Sequence, residues 1–127
     1  MSDAIVYVDT SDVRKGALEE LQAGMKELVD FVEANEPRII SYNVYFNEEG
    51  TRMTVMHVHP DAESVEYHLE VARPIFRRFV ELVTLTSTHI YGRPSEKVLK
   101  QADEKVRLLG RGVVDVQALH AGFTRSQ

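Results

Sequence analysis

The sequence predicts a single α+β domain in which short strands alternate with amphipathic helices. Runs of β-branched and aromatic residues, such as Ala4 to Asp9, have the length and composition of strands. Between these runs, apolar residues recur at steps of three and four, as they do on one face of a helix. The chain has 127 residues, which fits one domain. We therefore assign residues 1–127 to one domain, with residues 95–127 as a C-terminal extension.

The predicted elements follow one another in a fixed order. Five segments have the character of strands: Ala4 to Asp9, Arg38 to Asn47, Thr51 to His59, Val83 to Tyr91 and Val113 to Leu119. Three segments have helical periodicity: Ala17 to Asn35, Asp61 to Leu82, and Ser95 to Leu109. A Gly-containing turn joins the second and third strands into a hairpin. The resulting β-α-β-β-α-β order is ferredoxin-like, and an extra helix and strand follow it.

Particular residues mark the ends of the helices. Asp12, Asp61 and Ser95 are placed to cap the three helices, because short polar side chains accept bonds from the first free N–H groups. Pro74 is expected to interrupt the second helix, since proline cannot donate to the preceding turn. Gly110 stands where a left-handed residue would end the third helix.

Composition excludes several classes of protein. The chain has no cysteine, which excludes disulfides, thiolate metal sites and cysteine nucleophiles. Its net charge is −5, with acids and bases mixed, whereas nucleic-acid binding selects for basic patches. No apolar stretch is long enough to cross a bilayer, and no signal peptide is visible. We expect a cytoplasmic protein that binds neither nucleic acid nor membrane. The glycines of residues 110–112 follow a helix and precede a strand, the reverse of a phosphate loop.

Two stretches of the chain resemble a known family. The sequence NEPRIISYNVYF lies within Glu33 to Phe46, and VHPDAESVEYHLEVARPIFRRF runs from Val58 to Phe79. Both resemble segments of the antibiotic biosynthesis monooxygenase-like family, the first a hairpin strand and the second a strand end followed by an "AHxxSxHFxxF" helix. The members of this family are dimeric α+β barrels. The resemblance therefore implies a homodimer.

The chain also departs from the family pattern. Family enzymes often have a tryptophan just before the second helix, and this sequence has none. Haem-degrading relatives place a ligand histidine a few residues beyond the helical phenylalanine, where this chain has Val80. We therefore expect neither haem nor another cofactor.

The resemblance implies a catalytic role for His68, near a pocket between the helices and the sheet. An imidazole there can act as a general base, because its pKa lies near the working pH. The alternative is a polar helix residue bonded to a backbone carbonyl. Tyr67 and Phe76 lie in the same matching segment, and we expect them to contact a ligand.

His57 and His59 are two residues apart on a predicted strand, so their side chains share a face. We expect them to contact a ligand. A metal site would need a third ligand such as His68 or His89. No carboxylate stands at ligand spacing, so no metal site is predicted. In the alternative interpretation the pair is a polar strand end, with His59 in solvent.

The second strand offers further candidates for ligand contact, namely Tyr42, Asn43 and Tyr45. Alternation places Asn43 and Tyr45 on one face together with Ser41. The other face is predicted to be core and carries Ile40, Tyr42, Val44 and Phe46. Tyrosines on strands are more often packing residues, which is the alternative for both tyrosines.

Two polar sets have structural explanations as well as functional ones. Arg73, Arg77 and Arg78 can bind an anionic substrate, or form a solvated face that pairs with Glu70 or Glu81. Three alternating threonines on the fourth strand suit a pleated surface, and we expect them to be structural: Thr84, Thr86 and Thr88.

Two functions remain open. The first is a cofactor-independent monooxygenase or related enzyme acting on a small aromatic or polyketide-like molecule. It predicts a closed, mostly apolar cavity beside His68. The second is a non-catalytic ligand-binding or stress-response dimer on the same fold. Strands with apolar residues on both faces support a homodimer, because an exposed apolar sheet face needs a partner.

Overall fold

The computed structural model describes residues 3–125. The strands in this range are β1 (Ile5–Val13), β2 (Ser41–Phe46), β3 (Arg52–His59), β4 (Val83–Tyr91) and β5 (Gly110–Gln117). The helices are α1 (Leu18–Asn35), α2 (Ala62–Val71), α3 (Arg73–Phe76) and α4 (Glu96–Leu109). A single 3-10 turn, Arg77–Phe79, follows α3. None of the helices in the described range is long and apolar enough to cross a membrane.

The strands form one sheet in the order β2-β3-β1-β4-β5. The pairs β2–β3, β3–β1 and β1–β4 are antiparallel, which is the ferredoxin-like arrangement. Strand β5 joins the edge parallel to β4, and α4 forms the crossover that a parallel pair requires. The predicted α+β fold class is confirmed. The C-terminal helix and strand lengthen the sheet.

The helices cover one face of the sheet, and the core lies between them. Side chains alternate between buried and half-buried along β1 and β3, so every second residue faces the helices. Helix α1 contributes a buried stripe made of Leu21, Gly24, Met25, Leu28 and Val32. Full burial of one large apolar side chain contributes roughly 1.5–3 kcal/mol, so this stripe holds α1 against the sheet. No helix within residues 3–125 lies on the other face of the sheet.

The helix caps confirm two predictions and correct one. The Asp61 side chain accepts from the Ser64 N–H at 2.9 Å, and Ser95 Oγ accepts from the Val98 N–H at 3.1 Å. The prediction for Asp12 is wrong, because β1 continues through it to Val13. Helix α1 begins after Ala17 without a side-chain cap.

The proline prediction is confirmed, whereas the Gly110 prediction is wrong. Helix α2 ends at Val71, and α3 begins anew with Pro74 in its first turn. Gly110 has a φ of 177°, which is extended rather than left-handed. A Cβ at Gly110 would lie 2.3 Å from the Leu85 carbonyl oxygen. Glycine is needed there because β5 approaches the β4 backbone closely.

A β-bulge breaks the predicted alternation of the threonines on β4. The register between β1 and β4 shifts between Thr10 and Ser11. Thr86 is half-buried and donates to the Thr10 carbonyl at 2.9 Å. Thr88 is fully buried on the helix-covered face. The bulge inserts an extra residue, so Thr88 no longer shares a face with Thr84.

Candidate active site

Three histidines meet under α2 on the helix-covered face of the sheet. His57 and His59 project from β3, His68 projects from α2, and all three have 0% exposure. The ring centroids of His57 and His68 are 4.8 Å apart, and those of His59 and His68 are 5.9 Å apart. The predicted shared face of His57 and His59 is confirmed. The alternative with His59 in solvent is wrong.

His68 is held by a buried carboxylate. Its Nδ1 lies 2.8 Å from Oε1 of Glu36, a residue at the C-terminal end of α1 that is 3% exposed. A carboxylate accepts, so Nδ1–H is the donor, and Nε2 of a neutral ring then bears a lone pair. Among residues 3–125, His68 Nε2 has no hydrogen-bond partner. His68 therefore bonds to a carboxylate, and the alternative in which it bonds to a backbone carbonyl is wrong.

Burial lowers the pKa of His68, while the hydrogen bond and charge of Glu36 oppose that change. The net direction is downward, so the imidazole is neutral at neutral pH. A neutral, oriented imidazole with an unengaged Nε2 is equipped to remove a proton from a bound molecule.

The other two histidines form a hydrogen-bonded chain with a serine. Ser64 Oγ lies 2.8 Å from His59 Nδ1, and His59 Nε2 lies 2.6 Å from His57 Nδ1. Burial lowers the pKa of His59 to about 3 and that of His57 well below its usual value. Both rings are therefore neutral, each with one donor and one acceptor nitrogen. A concerted change of tautomer would carry a proton between Ser64 and His57.

A buried ion pair lies beside the histidines. Lys105 Nζ of α4 is 2.6 Å from Asp9 Oδ2 of β1, and Thr88 Oγ1 donates to Asp9 Oδ1 at 2.6 Å. The ammonium also lies 4.2 Å from the ring centroid of Phe76 and 5.5 Å from that of Tyr7. Because buried charges need partners, the Asp9–Lys105 pair fixes α4 against the sheet.

Two tyrosines surround His57. Tyr7 stacks on it with centroids 4.7 Å apart, and Tyr42 lies 5.0 Å from His57 and 5.2 Å from His68. Burial raises the pKa of both phenols, so both remain protonated. The Tyr7 hydroxyl has no hydrogen-bond partner among the described residues. It is a free donor within the cluster.

Side chains fill most of the space beside His68. A small cavity of about 40 Å³ lies nearby, between Tyr42, Phe76 and Lys105, and His68 does not line it. It has room for little more than one or two waters. The predicted substrate-sized cavity is therefore absent from the described part of the single chain. Two larger clefts flank α2 instead. One, of about 410 Å³, reaches Glu36 and Ser64, and the other, of about 830 Å³, reaches Phe76 and Lys105.

Several predicted site residues lie away from this cluster. Asn43 and Tyr45 are exposed on the open face of the sheet. Tyr67 is 51% exposed and lines the smaller cleft. His89 lies on the open face, with Nδ1 3.4 Å from Asp115 Oδ2, so it cannot join His57 and His59. Ile40, predicted to be core, precedes β2 and is 51% exposed.

The metal alternative has no support from the described residues. Within residues 3–125, no group of three histidine, aspartate or glutamate side chains is placed to hold a metal ion. His57 and His59 bond to each other through the nitrogens that would otherwise face a shared ion. The predicted ligand-contact residues that do gather are Tyr42, His57, His59 and Phe76, around His68.

Sequence reasoning missed Glu36, Asp9 and Lys105. Asp9 is an acid at an inward position of an otherwise apolar strand, and that position was a usable signal. Lys105 falls within the apolar stripe of α4, three residues after Ala102 and four before Leu109. Its position on the buried face was also visible in the sequence. Glu36 carries no comparable signal, because it lies at the end of a helix among charged residues.

Comparisons with known proteins identify the fold. No family model and no curated protein matches the chain. MupZ from Pseudomonas fluorescens aligns with 98% of this chain and 91% of its own, at 19% identity and a TM-score of 0.75. SnoaB, a cofactor-independent oxygenase from Streptomyces nogalater, aligns with 74% of this chain and 96% of its own, at 15% identity and a TM-score of 0.63.

The chain has the fold of the antibiotic biosynthesis monooxygenase-like proteins. A protein from Bacteroides thetaiotaomicron that bears this family's name aligns with 64% of the chain and 80% of its own, at 21% identity and a TM-score of 0.54. The MupZ alignment is long enough to include the C-terminal helix and strand. The structural similarity establishes the fold. Sequence identities this low do not establish the chemistry, which has to be argued from the site.

Proposed function

We propose that the protein is an oxidoreductase, a cofactor-independent monooxygenase acting on a small aromatic, polyketide-like molecule with an acidic C–H bond. The observation that carries the proposal is the His68–Glu36 pair, a buried neutral imidazole with one nitrogen held and the other unengaged. SnoaB supports the class of reaction, since it is an oxygenase with the same fold. A shared fold alone does not fix a function, so the base is the stronger argument.

The reaction begins with proton abstraction. His68 Nε2 removes a proton from a substrate methylene, and the electron pair stays on the aromatic-stabilised carbanion. The carbanion reduces dioxygen and forms a C–O bond, which gives a peroxide anion that takes up the proton. Loss of the second methylene proton and cleavage of the O–O bond give a carbonyl and water. One oxygen atom enters the product and the other leaves as water, and the substrate supplies all four electrons.

Glu36 and the surrounding rings support the base. The Glu36 carboxylate holds the Nδ1–H tautomer and stabilises the imidazolium that forms on proton transfer. The cluster is buried, so few waters compete with dioxygen or quench the carbanion. The Tyr7 hydroxyl, which has no partner among the described residues, is a donor suited to a developing enolate oxygen.

Phe76 connects the site to the surface. Its ring lies 5.9 Å from the His68 ring and lines both the small cavity and the larger cleft. A substrate entering from that cleft would occupy space near Phe76, and rotation of this ring would enlarge the cavity of about 40 Å³. We therefore propose Phe76 as a substrate contact, together with Tyr42.

We also propose that the protein is a homodimer associated through the open sheet face. That face carries four half-buried apolar residues, Val6 and Val8 of β1 and Met56 and Val58 of β3. No helix of the described part of the chain covers them. An apolar face of this kind needs a partner, and a two-fold copy is the commonest one. We place the protein in the cytoplasm, because a chain without cysteine has no need of an oxidising compartment.

A second candidate is a non-catalytic ligand-binding or stress-response dimer. The small cavity between Tyr42, Phe76 and Lys105, about 40 Å³, favours this candidate, because no aromatic substrate fits there without movement of side chains. The two candidates differ in whether His68 transfers a proton.

Anthrone is a suitable probe, because loss of a methylene proton gives an anion that is delocalised over its two benzo rings and its carbonyl group. The enzyme should catalyse deuterium exchange at that methylene without oxygen, and oxygen uptake with one labelled oxygen in the product when ¹⁸O₂ is present. His68→Gln should slow both by roughly 10²–10⁴-fold, whereas His89→Gln should leave both unchanged. If the wild type shows no deuterium exchange and no oxygen uptake above the uncatalysed rates, the ligand-binding candidate is favoured.

A further inference from the structure

The larger cleft between α2–α3 and α4 has a strongly basic lining, and we call it the basic cleft. Its volume is about 830 Å³. Its cations are Arg73, Arg77, Lys97, Lys100, Lys105 and Arg107. It has two carboxylates, Glu70 and Glu104. The whole chain has a net charge of −5, so this excess of positive charge is local.

Carboxylates neutralise four of the six cations. Arg73 pairs with Glu104, and Lys97 pairs with Glu70 at 3.5 Å. Two further pairs reach carboxylates outside the lining: Arg107 with Asp103 at 2.7 Å, and Lys105 with Asp9 at 2.6 Å.

Arg77 and Lys100 are the two cations that remain. Neither has a carboxylate partner within residues 3–125. Arg77 lies in the turn after α3 and Lys100 lies on α4, so the uncompensated charges stand on both sides of the cleft.

The interior of the basic cleft is apolar and leads to the histidine cluster. Leu69 and Phe76 are each 4% exposed, and Leu108 is half-buried beside them. Phe76 is also the ring that contacts His68, with centroids 5.9 Å apart. In the wall, Gln101 Oε1 is buried without a donor among the described residues. The cleft thus has a positively charged rim, a floor that contains the Phe76 ring, and a buried Gln101 Oε1 that accepts no hydrogen bond from the described residues.

We propose that the basic cleft binds an aromatic carboxylic acid, with its carboxylate between Arg77 and Lys100 and its ring toward Phe76. An arginine and a lysine on opposite walls can attract one carboxylate from both sides, and the positive field steers anions into the cleft. This inference rests on the proposed function, since it names the substrate class as acidic. The same charges favour an aromatic acid over a neutral aromatic molecule of equal size.

The test compares 2-naphthoate with 2-acetonaphthone, its neutral analogue, in amide chemical-shift titrations of the ¹⁵N-labelled full chain. We expect naphthoate to shift signals of α4 and of residues 73–77 and to bind at least tenfold more tightly than the ketone. Inorganic phosphate should bind more weakly than naphthoate, because it has no ring for the apolar floor. Naphthoate binding should weaken as salt is raised, because the rim is exposed.

Charge reversals locate the site. Arg77→Glu and Lys100→Glu should each weaken naphthoate binding about tenfold and leave acetonaphthone binding unchanged. The control is Arg111→Glu, an exposed residue of β5 whose reversal changes the net charge equally. The control should leave binding of naphthoate unaltered.

Three results would overturn the inference: equal affinity for acid and ketone, tighter binding of phosphate than of naphthoate, or equal weakening by Arg111→Glu. His68→Gln separates this inference from the proposed function. Binding of naphthoate should survive that substitution, since Arg77 and Lys100 carry the affinity. A failure of catalysis with intact binding therefore refutes only the proposed chemistry.

Discussion

The two faces of the sheet carry the same kinds of residue in opposite environments. On the helix-covered face, His57, His59 and Tyr7 have no exposure at all. On the open face, Tyr45 and Tyr91 are 49% and 39% exposed, and His89 is half-exposed. Alternation along each strand sends neighbouring residues to opposite faces, so a strand carries both environments at once. The covering helices, rather than the residue types, determine where the titratable groups become reactive.

The difference assigns a separate role to each face. Burial under α2 lowers the pKa of His57 and His59 and raises that of Tyr7, which keeps all three neutral. Neutral groups in a dry cluster suit proton transfer. The open face has half-buried valines and methionine beside threonines and suits association with a second copy.

The largest expected effect concerns the base on the covered face. His68→Gln should reduce the rate of anthrone oxygenation by roughly 10²–10⁴-fold, the usual contribution of a general base. Glu36→Gln should have a smaller effect of the same sign, because it keeps an acceptor for Nδ1 but removes the charge. The measurement is oxygen uptake at saturating anthrone. Glu33→Gln, an exposed residue of the same helix, is the control. If His68→Gln is as active as the wild type, His68 on the covered face is not the base.

The open face predicts a second effect, on association. Val8→Asp places a charge in the centre of that face and should convert the dimer into a monomer. Light scattering after size-exclusion chromatography measures the mass. Leu99→Asp introduces the same charge at an exposed position of α4 and should leave the dimer intact. A wild-type protein that is monomeric at micromolar concentration would contradict the proposed association.

Acid should destabilise the folded protein through the covered face. In the unfolded chain a histidine gains a proton below about pH 6.5, whereas folded His59 does so only near its pKa of about 3. The unfolded state therefore binds more protons between those values, and the free energy of unfolding falls as pH falls. For His59 alone, the loss from pH 7 to 5 is about 2 kcal/mol.

Urea unfolding at pH 7, 6 and 5 measures this dependence. His59→Gln should make it shallower, and His89→Gln, on the open face, serves as the matched substitution. If the free energy of unfolding of the wild type stays constant from pH 7 to 5, the pKa of the buried histidines is not lowered in the folded protein.

The smallest expected effect concerns the serine–histidine chain. Ser64→Ala removes one end of the chain but leaves the His68–Glu36 pair, so turnover should fall only a few-fold. His68 Nε2 removes the substrate proton, and among residues 3–125 no hydrogen bond joins it to the chain. Oxygen uptake at saturating anthrone measures the effect. A loss as large as the one expected for His68→Gln would show that the chain, and not His68 alone, carries the substrate proton.

The sequence predicted the fold better than it predicted the site. Strand and helix periods are local properties, so β4 was predicted with its correct bounds and the break at Pro74 was found. The face of β3 that carries His57 and His59 followed from alternation alone.

The polar partners of the histidines could not be predicted in the same way. Glu36 is 32 residues from His68, and Lys105 is 96 residues from Asp9. Such pairs depend on how the helices pack across the sheet. The bulge near Thr10 likewise shifted the face of Thr88, because an extra residue changes the alternation without any mark in the sequence.

The proposed function requires His68 to be a neutral base, with its proton on Nδ1 toward Glu36 and an unprotonated Nε2. Nitrogen NMR of ¹⁵N-histidine-labelled protein at pH 7, assigned by comparison with His68→Gln, tests it directly. We expect a protonated Nδ1 and an unprotonated Nε2 for His68 at pH 7, because burial lowers its pKa. An imidazolium at pH 7, or a neutral ring with its proton on Nε2, would contradict it.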